Sequence, residues 1–396
     1  MQFTNSDTIV TIDLDAVMAN WRHLDALSKP QCKTSAVIKA DAYGMGAAII
    51  GPHLAAAGCT IFFVMSAHEG ASLRVALGDA GFAQCGIFVF AGLQQGQEDI
   101  FLDYALMPVI NDTSQLARVS MMARTRNTMI PTALHLDTGM SRLGLSSSDM
   151  DWLVEQMSED KTLLDGIDLR FVMSHLTSSD ETESPANAAQ LTRFNDLHGF
   201  FPGVRASLAN SGGVFLGKDY HFDLTRPGIS LYGVHPAGRS ATDANKGLND
   251  AVRWDARILQ VHEQKKGNSV GYNGTHILGR DSVIASLAVG YADGYPRALG
   301  DRAFGDPALG DKALVEIGGH VAPVIGRVSM DIITVDATDI PPQILCKADH
   351  ACVLGPHYSL AQMATDAGTI SYEILTGIGQ RPERQYSYSQ KAEFSA

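Results

Sequence analysis

Lys39 closes the apolar run TSAVIK (34–39), and a tyrosine and two glycines follow it at once in KADAYGMG (39–46). The run predicts a buried strand. A lysine at the end of such a strand must be paired, neutralised or used covalently, because apolar surroundings disfavour its charge. A neutral lysine is an amine nucleophile that forms a Schiff base with a carbonyl cofactor. The alternative is a lysine that extends from the strand end into solvent, and this stretch does not decide between the two.

Eight short apolar runs recur in the first part of the chain, with segments of helical periodicity between most of them. They are TSAVIK (34–39), TIFFVM (60–65), GIFVF (86–90), LMPVI (106–110), TALHLD (132–137), RFVMSH (170–175), RASLAN (205–210) and YHFDLTR (220–226). Alternating strands and helices indicate βαβ units and a parallel sheet. Eight such units predict an α/β fold, a (β/α)8 TIM-like barrel. An open, doubly wound sheet is the alternative.

The pattern changes after the eighth run. ATDANKGLND (241–250) has the composition of a linker, and the runs beyond it are strand-like with frequent glycine turns. Helical patterning is scarce there until SLAQMATDAG (359–368), so this part predicts a mostly β domain. We therefore expect a cofactor-binding barrel over residues 10–240 and a mostly β C-terminal domain over residues 241–396, with residues 1–9 available to pair with the latter.

The composition narrows the class of protein. A length of 396 residues favours two domains, and a net charge of −13 argues against nucleic acid or an anionic membrane surface as a partner. The five cysteines show no CxxC spacing, which fits free thiols in a reducing compartment. Neither a signal peptide nor a membrane-spanning stretch is visible in the sequence, so a cytoplasmic protein is expected.

Polar residues follow the predicted strands at the rim where barrels place their chemistry. They are Lys39, Tyr43, Arg142, His175, Ser211 and Arg226, and the nonpolar Gly228 and Ile229 follow the eighth run. Gly228 and Ile229 are placed to open a short helix whose free N–H groups would bind phosphate. Arg142 is suited to a two-pronged contact with a carboxylate. Each residue alone also has an ordinary structural interpretation, such as a surface ion pair for Arg142, but their joint position favours a site.

Nine motifs, in order along nearly the whole chain, make the sequence similar to the bacterial alanine racemases. This is a pyridoxal-phosphate-dependent family with a barrel plus a β domain. The motifs are KADAYGMG (39–46), LDTGMSRLG (136–144), SHL (174–176), ANSGG (209–213), TRPGISLYG (225–233), VGYNGT (270–275), VGYADGYPR (289–297), GRVSMDIITVD (326–336) and ISYEILT (370–376). So many ordered matches are far more specific than a single glycine-rich motif.

The resemblance implies interconversion of L-alanine and D-alanine by two bases through an external aldimine of pyridoxal 5′-phosphate, supplying D-alanine for peptidoglycan. Lys39 would carry the cofactor and serve the D-alanine proton, and Tyr272 would serve the L-alanine proton. The other residues implied in cofactor binding are Tyr43, His175, Ser211, Arg226, Gly228, Ile229 and Tyr372. Arg142 and the Met330 backbone would receive the substrate carboxylate, with Asp331 beside them. No metal is expected.

The resemblance also implies a homodimer with composite sites, in which each barrel rim is completed by the C-terminal domain of the partner subunit. Tyr272 would then act on the partner's cofactor, and His175 would link Arg226 to it by hydrogen bonds. No nucleic acid or membrane partner is expected.

One position departs from the family pattern. His135 stands where many members carry a carbamylated lysine that orients the substrate-binding arginine, here Arg142. A neutral imidazole supplies no anion, so three interpretations stay open: orientation by hydrogen bonding alone, a bound anion such as chloride, or a plain strand histidine. Activity independent of bicarbonate is expected.

Three other functions compete with alanine racemisation. The same chemistry on another or broader range of amino acids, such as serine or lysine, is not distinguished by sequence. A decarboxylase of the related fold normally uses a carboxylate at the pyridine nitrogen and a catalytic cysteine, and Arg226 argues against it. A non-catalytic pyridoxal-phosphate carrier would need only the barrel, and the full second domain argues against that.

Overall fold

The computed structural model describes residues 6–160, 163–237, 247–300 and 313–389. The chain forms two compact units. One is Val17–Asn249, and the other combines the described residues of Met1–Ala16 with Asp250–Ser389. Residues 241–246 of the predicted linker lie outside the described residues. The predicted domain limits, 10–240 and 241–396, stay a prediction.

The unit Val17–Asn249 is built on parallel strands. Seven of them pair in chain order: Ala36–Val37, Ile61–Val64, Gly86–Val89, Met107–Ile110, Ile130–His135, Ile167–Met173 and Arg205–Ser207. The eighth, Leu224–Thr225, pairs in parallel with Lys33–Thr34. The Arg226 N–H donates to the Ala209 carbonyl (2.9 Å), and the Val37 N–H donates to the Pro227 carbonyl (2.9 Å). The last strand is thus bonded on both sides, and the predicted (β/α)8 barrel is confirmed over the open sheet.

Helices alternate with these strands as the periodicity predicts. The described α-helices from Leu14 to Phe215 are Leu14–Leu27, Ala47–Ala57, Ala67–Asp79, Glu98–Asp103, Thr113–Arg126, Ser147–Glu159, Pro185–His198 and Ser211–Phe215, and Lys39–Tyr43 is a short left-handed turn. Ser66 and Ser146 each begin a helix with a capping box, and the Asp112 carboxylate accepts from the N–H of Gln115. Such caps satisfy backbone N–H groups that have no partner within the helix.

The barrel interior is a packed apolar core. Its buried cluster draws on nearly every strand: Val37, Phe63, Phe88, Val109, Ala133, Phe171, Met173 and Leu224. Phe63 stacks on Phe88 with ring centroids 5.1 Å apart, and Phe88 meets Phe171 edge-on at 5.6 Å. Burial of each such side chain stabilises the fold by roughly 1.5–3 kcal/mol. Because the interior is filled, the strand ends are left to carry chemistry.

The second unit is mostly β, as predicted. Six antiparallel strands form a closed ring in the order Ser282–Leu287, Ile333–Asp336, His320–Ile325, Leu314–Ile317, His350–Leu354 and Val252–Gln264. Thr8–Asp13 pairs antiparallel with Val252–Gln264 and parallel with Glu383–Ser387. The short strands Ser269–Val270 and His276–Ile277 pair separately. The α-helices among the described residues of this unit are Pro342–Leu345, Leu360–Ala367 and Ser371–Gly377. Across the described parts of both units, no helix has the length and apolar character needed to cross a membrane.

Candidate active site at the barrel rim

Lys39 does not end a six-residue strand. The strand stops at Val37, and Lys39 begins the turn Lys39–Tyr43, in which residues 40–43 have φ between 52° and 60°. This left-handed backbone costs roughly 1–2 kcal/mol per non-glycine residue, so other contacts must hold it. The Tyr232 hydroxyl donates to the Ala42 carbonyl (2.7 Å). Lys39 therefore projects from a turn whose backbone is held by a hydrogen bond, and not from the end of a strand.

Glu69 also holds this turn. Its carboxylate accepts from the N–H of Ala40 (2.9 Å) and from the N–H of Met65 (2.7 Å). Burial, and then the nearby Arg142 guanidinium, lower the pKa of the half-buried Lys39, while Glu69 acts in the opposite direction. A lowered pKa makes the amine a better nucleophile and base at neutral pH. The sequence does not indicate Glu69 as a site residue, because its contact with the Lys39 turn is tertiary.

Tyr43, Ser211 and Gly228 converge beside this turn. The Ser211 hydroxyl oxygen accepts from the N–H of Gly228 (2.9 Å) and from that of Ser230 (3.4 Å). A Cβ on Gly228 would lie 2.1 Å from the Tyr43 hydroxyl oxygen, so only glycine fits there. Buried Ile229 opens the short 3₁₀ helix Ile229–Tyr232, as the sequence predicts. Two hydroxyls and backbone N–H groups in one place are the donors that a phosphate uses.

Arg226 is a buried cation whose partners are neutral oxygens. It donates to the Ser207 hydroxyl, to the Ser174 carbonyl (2.5 Å) and more weakly to the Leu208 carbonyl (3.4 Å). Burial lowers the pKa of Arg226, yet a guanidinium keeps its proton under ordinary conditions. The group is thus able to donate a hydrogen bond and unable to serve as a proton acceptor.

His175 lies in the field of the same cations. Burial, then Arg226 and Arg142, hold the pKa of its imidazole well below the usual range. The ring is therefore neutral at physiological pH. Its predicted hydrogen-bonded link between Arg226 and Tyr272 stays a prediction.

Arg142 is exposed at the end of a loop that Asp137 organises. The Asp137 carboxylate accepts from the N–H groups of Gly139 (2.8 Å), Met140 (2.8 Å) and Ser141 (3.0 Å). Burial alone would raise the pKa of Asp137, but these three N–H groups hold it below its usual value. The loop thus carries Arg142 on a fixed backbone.

His135 is buried at the end of the fifth barrel strand, and its Nδ1 lies 2.9 Å from Oδ1 of Asn111. The Asn111 amide nitrogen donates to the carbonyls of Phe90 (2.8 Å) and Val109 (2.9 Å), so its oxygen must accept from the imidazole. Burial, followed by the Arg226 charge, lowers the pKa of His135 to about 4. His135 is therefore neutral and brings no negative charge to Arg142.

The remaining predicted residues lie in the second unit. Tyr272 begins the turn Tyr272–Gly274 and is 69% exposed, and Met330 (53%) and Tyr372 (38%) are also exposed. The Met330 carbonyl accepts from the N–H of Ala292 (3.0 Å). Asp331 forms an ion pair with Arg381 (2.7 Å).

The rim brings together an amine with a lowered pKa, a cluster of hydroxyl and N–H groups, and two guanidiniums. The fold and these residues define a (β/α)8 barrel with a lysine just beyond its first strand, followed by a β domain. Residues 12–236 match the family model of the alanine racemase N-terminal domain, and residues 251–386 match that of the C-terminal domain. The chain belongs to the alanine racemase family.

Individual relatives agree over nearly the full length. The chain is 40% identical to an alanine racemase of Rhodospirillum rubrum over 96% of this chain and 95% of that protein. It is 38% identical to an alanine racemase of Rickettsia canadensis over 96% of this chain and 98% of that protein. Among solved structures, an alanine racemase from Bartonella henselae with covalently bound pyridoxal phosphate superposes with a TM-score of 0.85 at 35% identity. That match covers 96% of this chain and all (100%) of the Bartonella chain.

Proposed function

We propose that this chain is an alanine racemase that interconverts L-alanine and D-alanine with pyridoxal 5′-phosphate carried on Lys39. The observation that carries the proposal is the position of Lys39, an amine of lowered pKa on a turn that is hydrogen-bonded to Glu69 and Tyr232. The family membership and the covalently bound pyridoxal phosphate of the Bartonella structure support it.

The residues present fit the cofactor. Tyr43, Ser211 and the N–H of Gly228 offer the donors that its phosphate needs, and a side chain at Gly228 would fill that space. Tyr372 and Ile229 would complete the phosphate site, and Arg226 would donate to the ring nitrogen. When bound, pyridoxal phosphate acts as an electron sink that makes the Cα proton of an amino acid acidic.

The chain's own residues then remove the Cα proton from one face of the substrate and return a proton to the other face. The neutral amine of Lys39 takes the Cα proton of D-alanine, or its protonated form returns it. The phenol oxygen of Tyr272 takes the Cα proton of L-alanine when deprotonated and returns it when protonated. Each positioned base contributes about 10²–10⁴-fold to the rate. Arg142 and the backbone of Met330 hold the carboxylate, so the substrate keeps its orientation while the proton changes face.

The active form is proposed to be a homodimer in which Tyr272 and Met330 serve the barrel of the partner subunit. The two residues are 69% and 53% exposed, which supports such a contact. A cytoplasmic location and the supply of D-alanine for peptidoglycan complete the proposal. All five cysteines are free thiols, which supports a reducing compartment.

The test compares wild-type protein with Tyr272→Phe in both directions of racemisation and on a panel of L-amino acids including alanine, serine and lysine. Cα-proton exchange in D₂O, followed by NMR, should fall mainly for L-alanine in the variant. Tyr104→Phe, altered outside the proposed site, is the matched control and should behave as wild type. Unchanged exchange in Tyr272→Phe would exclude that residue as a base. If the wild-type protein turns over serine or lysine faster than alanine, that amino acid is the substrate instead of alanine.

A further inference from the structure

Gln190 is a buried amide whose hydrogen-bonding groups are all used. It lies on the helix Pro185–His198 and is 4% exposed. Its nitrogen donates to the Thr138 hydroxyl (3.1 Å) and to the His175 carbonyl (2.9 Å). Its oxygen accepts from the N–H (2.8 Å) and the hydroxyl (3.0 Å) of Thr177. Rotation of such an amide would turn its oxygen toward the His175 carbonyl and its nitrogen toward the Thr177 N–H, so these bonds would be lost and the observed orientation is favoured.

Thr138 connects Gln190 to the arginine loop. The N–H groups of the next three residues, 139–141, all bond to the Asp137 carboxylate, so residues 137–141 form one braced segment that leads directly into Arg142. The Thr138 hydroxyl also lies 2.7 Å from that of Ser174. A shift of Thr138 would therefore carry Arg142 with it.

Ser174 and His175 connect Gln190 to the cofactor side of the rim. Both directly follow the sixth barrel strand, Ile167–Met173. The Ser174 carbonyl accepts from the Arg226 guanidinium (2.5 Å), and the His175 carbonyl accepts from Gln190 (2.9 Å). The amide thus joins the segment that presents Arg142 to the strand end that supports Arg226.

We propose that Gln190 is a positioning residue that fixes the position of Arg142 relative to Arg226. It acts from a helix, through Thr138 on one side and the strand end at residues 174–175 on the other. The inference rests on the proposed function, because it assumes that Arg142 receives the substrate carboxylate. Misplacement of such a group by a fraction of an ångström should weaken carboxylate binding by about tenfold.

The test uses the cofactor-loaded protein, four single variants and the double variant Gln190→Met/Thr138→Val. Gln190→Met keeps the volume and removes the amide, whereas Thr138→Val removes the hydroxyl and Thr138→Ser retains it. Asn187→Leu is the matched control, since Asn187 is a buried amide (2% exposed) on the same helix that donates instead to the Glu181 carbonyl (2.9 Å). Each protein is assayed for KM and kcat with alanine, for the dissociation constant of propionate by calorimetry, and for its melting temperature.

Gln190→Met and Thr138→Val should each raise KM and the propionate dissociation constant by about tenfold, with a smaller effect on kcat. Because the two residues share one contact, the double variant should lose less than the product of the single effects. Thr138→Ser and Asn187→Leu should stay within about twofold of wild type in both constants, as expected for contacts that leave Arg142 in place.

A lower melting temperature with unchanged KM and propionate affinity in both Gln190→Met and Thr138→Val would overturn the inference and leave Gln190 a structural residue. If Gln190→Met does not fold, the comparison of Thr138→Val with Thr138→Ser decides whether the inference holds. Absence of alanine racemisation by the wild-type protein would reject the proposed function, and the inference with it.

Discussion

Gly228→Ala offers a direct test of the phosphate site. The added Cβ would lie 2.1 Å from the Tyr43 hydroxyl oxygen and 3.1 Å from Cζ of the same ring. Ordinary contact begins at 3.4 Å, so the hydroxyl must retreat by 1.3 Å, the difference between 3.4 and 2.1 Å. Tyr43 is buried, packs against Tyr232 with ring centroids 5.5 Å apart and has a left-handed backbone, so it has little freedom to move.

We expect overpacking to destabilise the protein by about 1–3 kcal/mol. Displacement of the Tyr43 hydroxyl should also remove a hydrogen bond to a charged phosphate, worth about 1.5–3 kcal/mol, or about tenfold to a hundredfold in cofactor affinity. Thermal melting of the cofactor-free protein measures the first effect, and titration with pyridoxal phosphate followed by absorbance measures the second.

Two matched variants sharpen the result. Gly78→Ala places a Cβ with nothing within 4 Å in the helix Ala67–Asp79, and it should be neutral or stabilising by about 0.5–1 kcal/mol. Adding Tyr43→Phe to Gly228→Ala removes the clashing oxygen, so it should restore stability but not cofactor affinity. Unchanged cofactor affinity in Gly228→Ala would refute this account of the phosphate site.

Two further predictions concern His135 and Arg381. Burial lowers the pKa of His135 from 6.5 to about 4, so its protonation opposes folding. The free energy of unfolding should therefore fall as pH drops from 6.5 toward 4, by up to about 3 kcal/mol from this residue. His135→Gln should show a shallower decline in chemical unfolding, and a decline as steep as wild type would contradict the assignment. Racemisation in CO₂-free buffer should also be insensitive to added bicarbonate. Arg381 pairs with fully buried Asp293 (3.1 Å) and with Asp331 (2.7 Å). Arg381→Met should thus cost roughly 1–3 kcal/mol, because it leaves the Asp293 charge buried and unpaired. Adding Asp293→Asn should recover part of the loss in melting temperature, and no recovery would argue against this pairing.

The eight apolar runs each overlap a strand of the barrel, because buried parallel strands require continuous apolar residues. The predicted helix opening at Ile229 is also present. The sequence predicts that the first strand ends at Lys39, whereas in the structure it ends two residues earlier, at Val37. An apolar Val-Ile-Lys run has the composition of a strand, whereas the left-handed turn at residues 40–43 is held by Glu69 and Tyr232, far away in sequence.

Asn111 and Gln190 carry no sequence signal of their roles. Each is a single amide in an ordinary strand-end or helical pattern, and its partners lie up to 24 residues away for Asn111 and up to 52 for Gln190. Local periodicity describes which face of an element is buried, but it contains no information on which distant polar groups meet there.

The sequence by itself determined the barrel, the following β domain, the family, and the residue types available for chemistry. These follow from the order of apolar runs and motifs, which is a property of the chain. Only the tertiary structure decided which groups are charged and how they are held. It showed His135 neutral beside Asn111, Arg226 bonded to neutral oxygens, and Lys39 with a lowered pKa. Charge states and orientations depend on burial and on partners from other elements, and these exist only once the chain has folded.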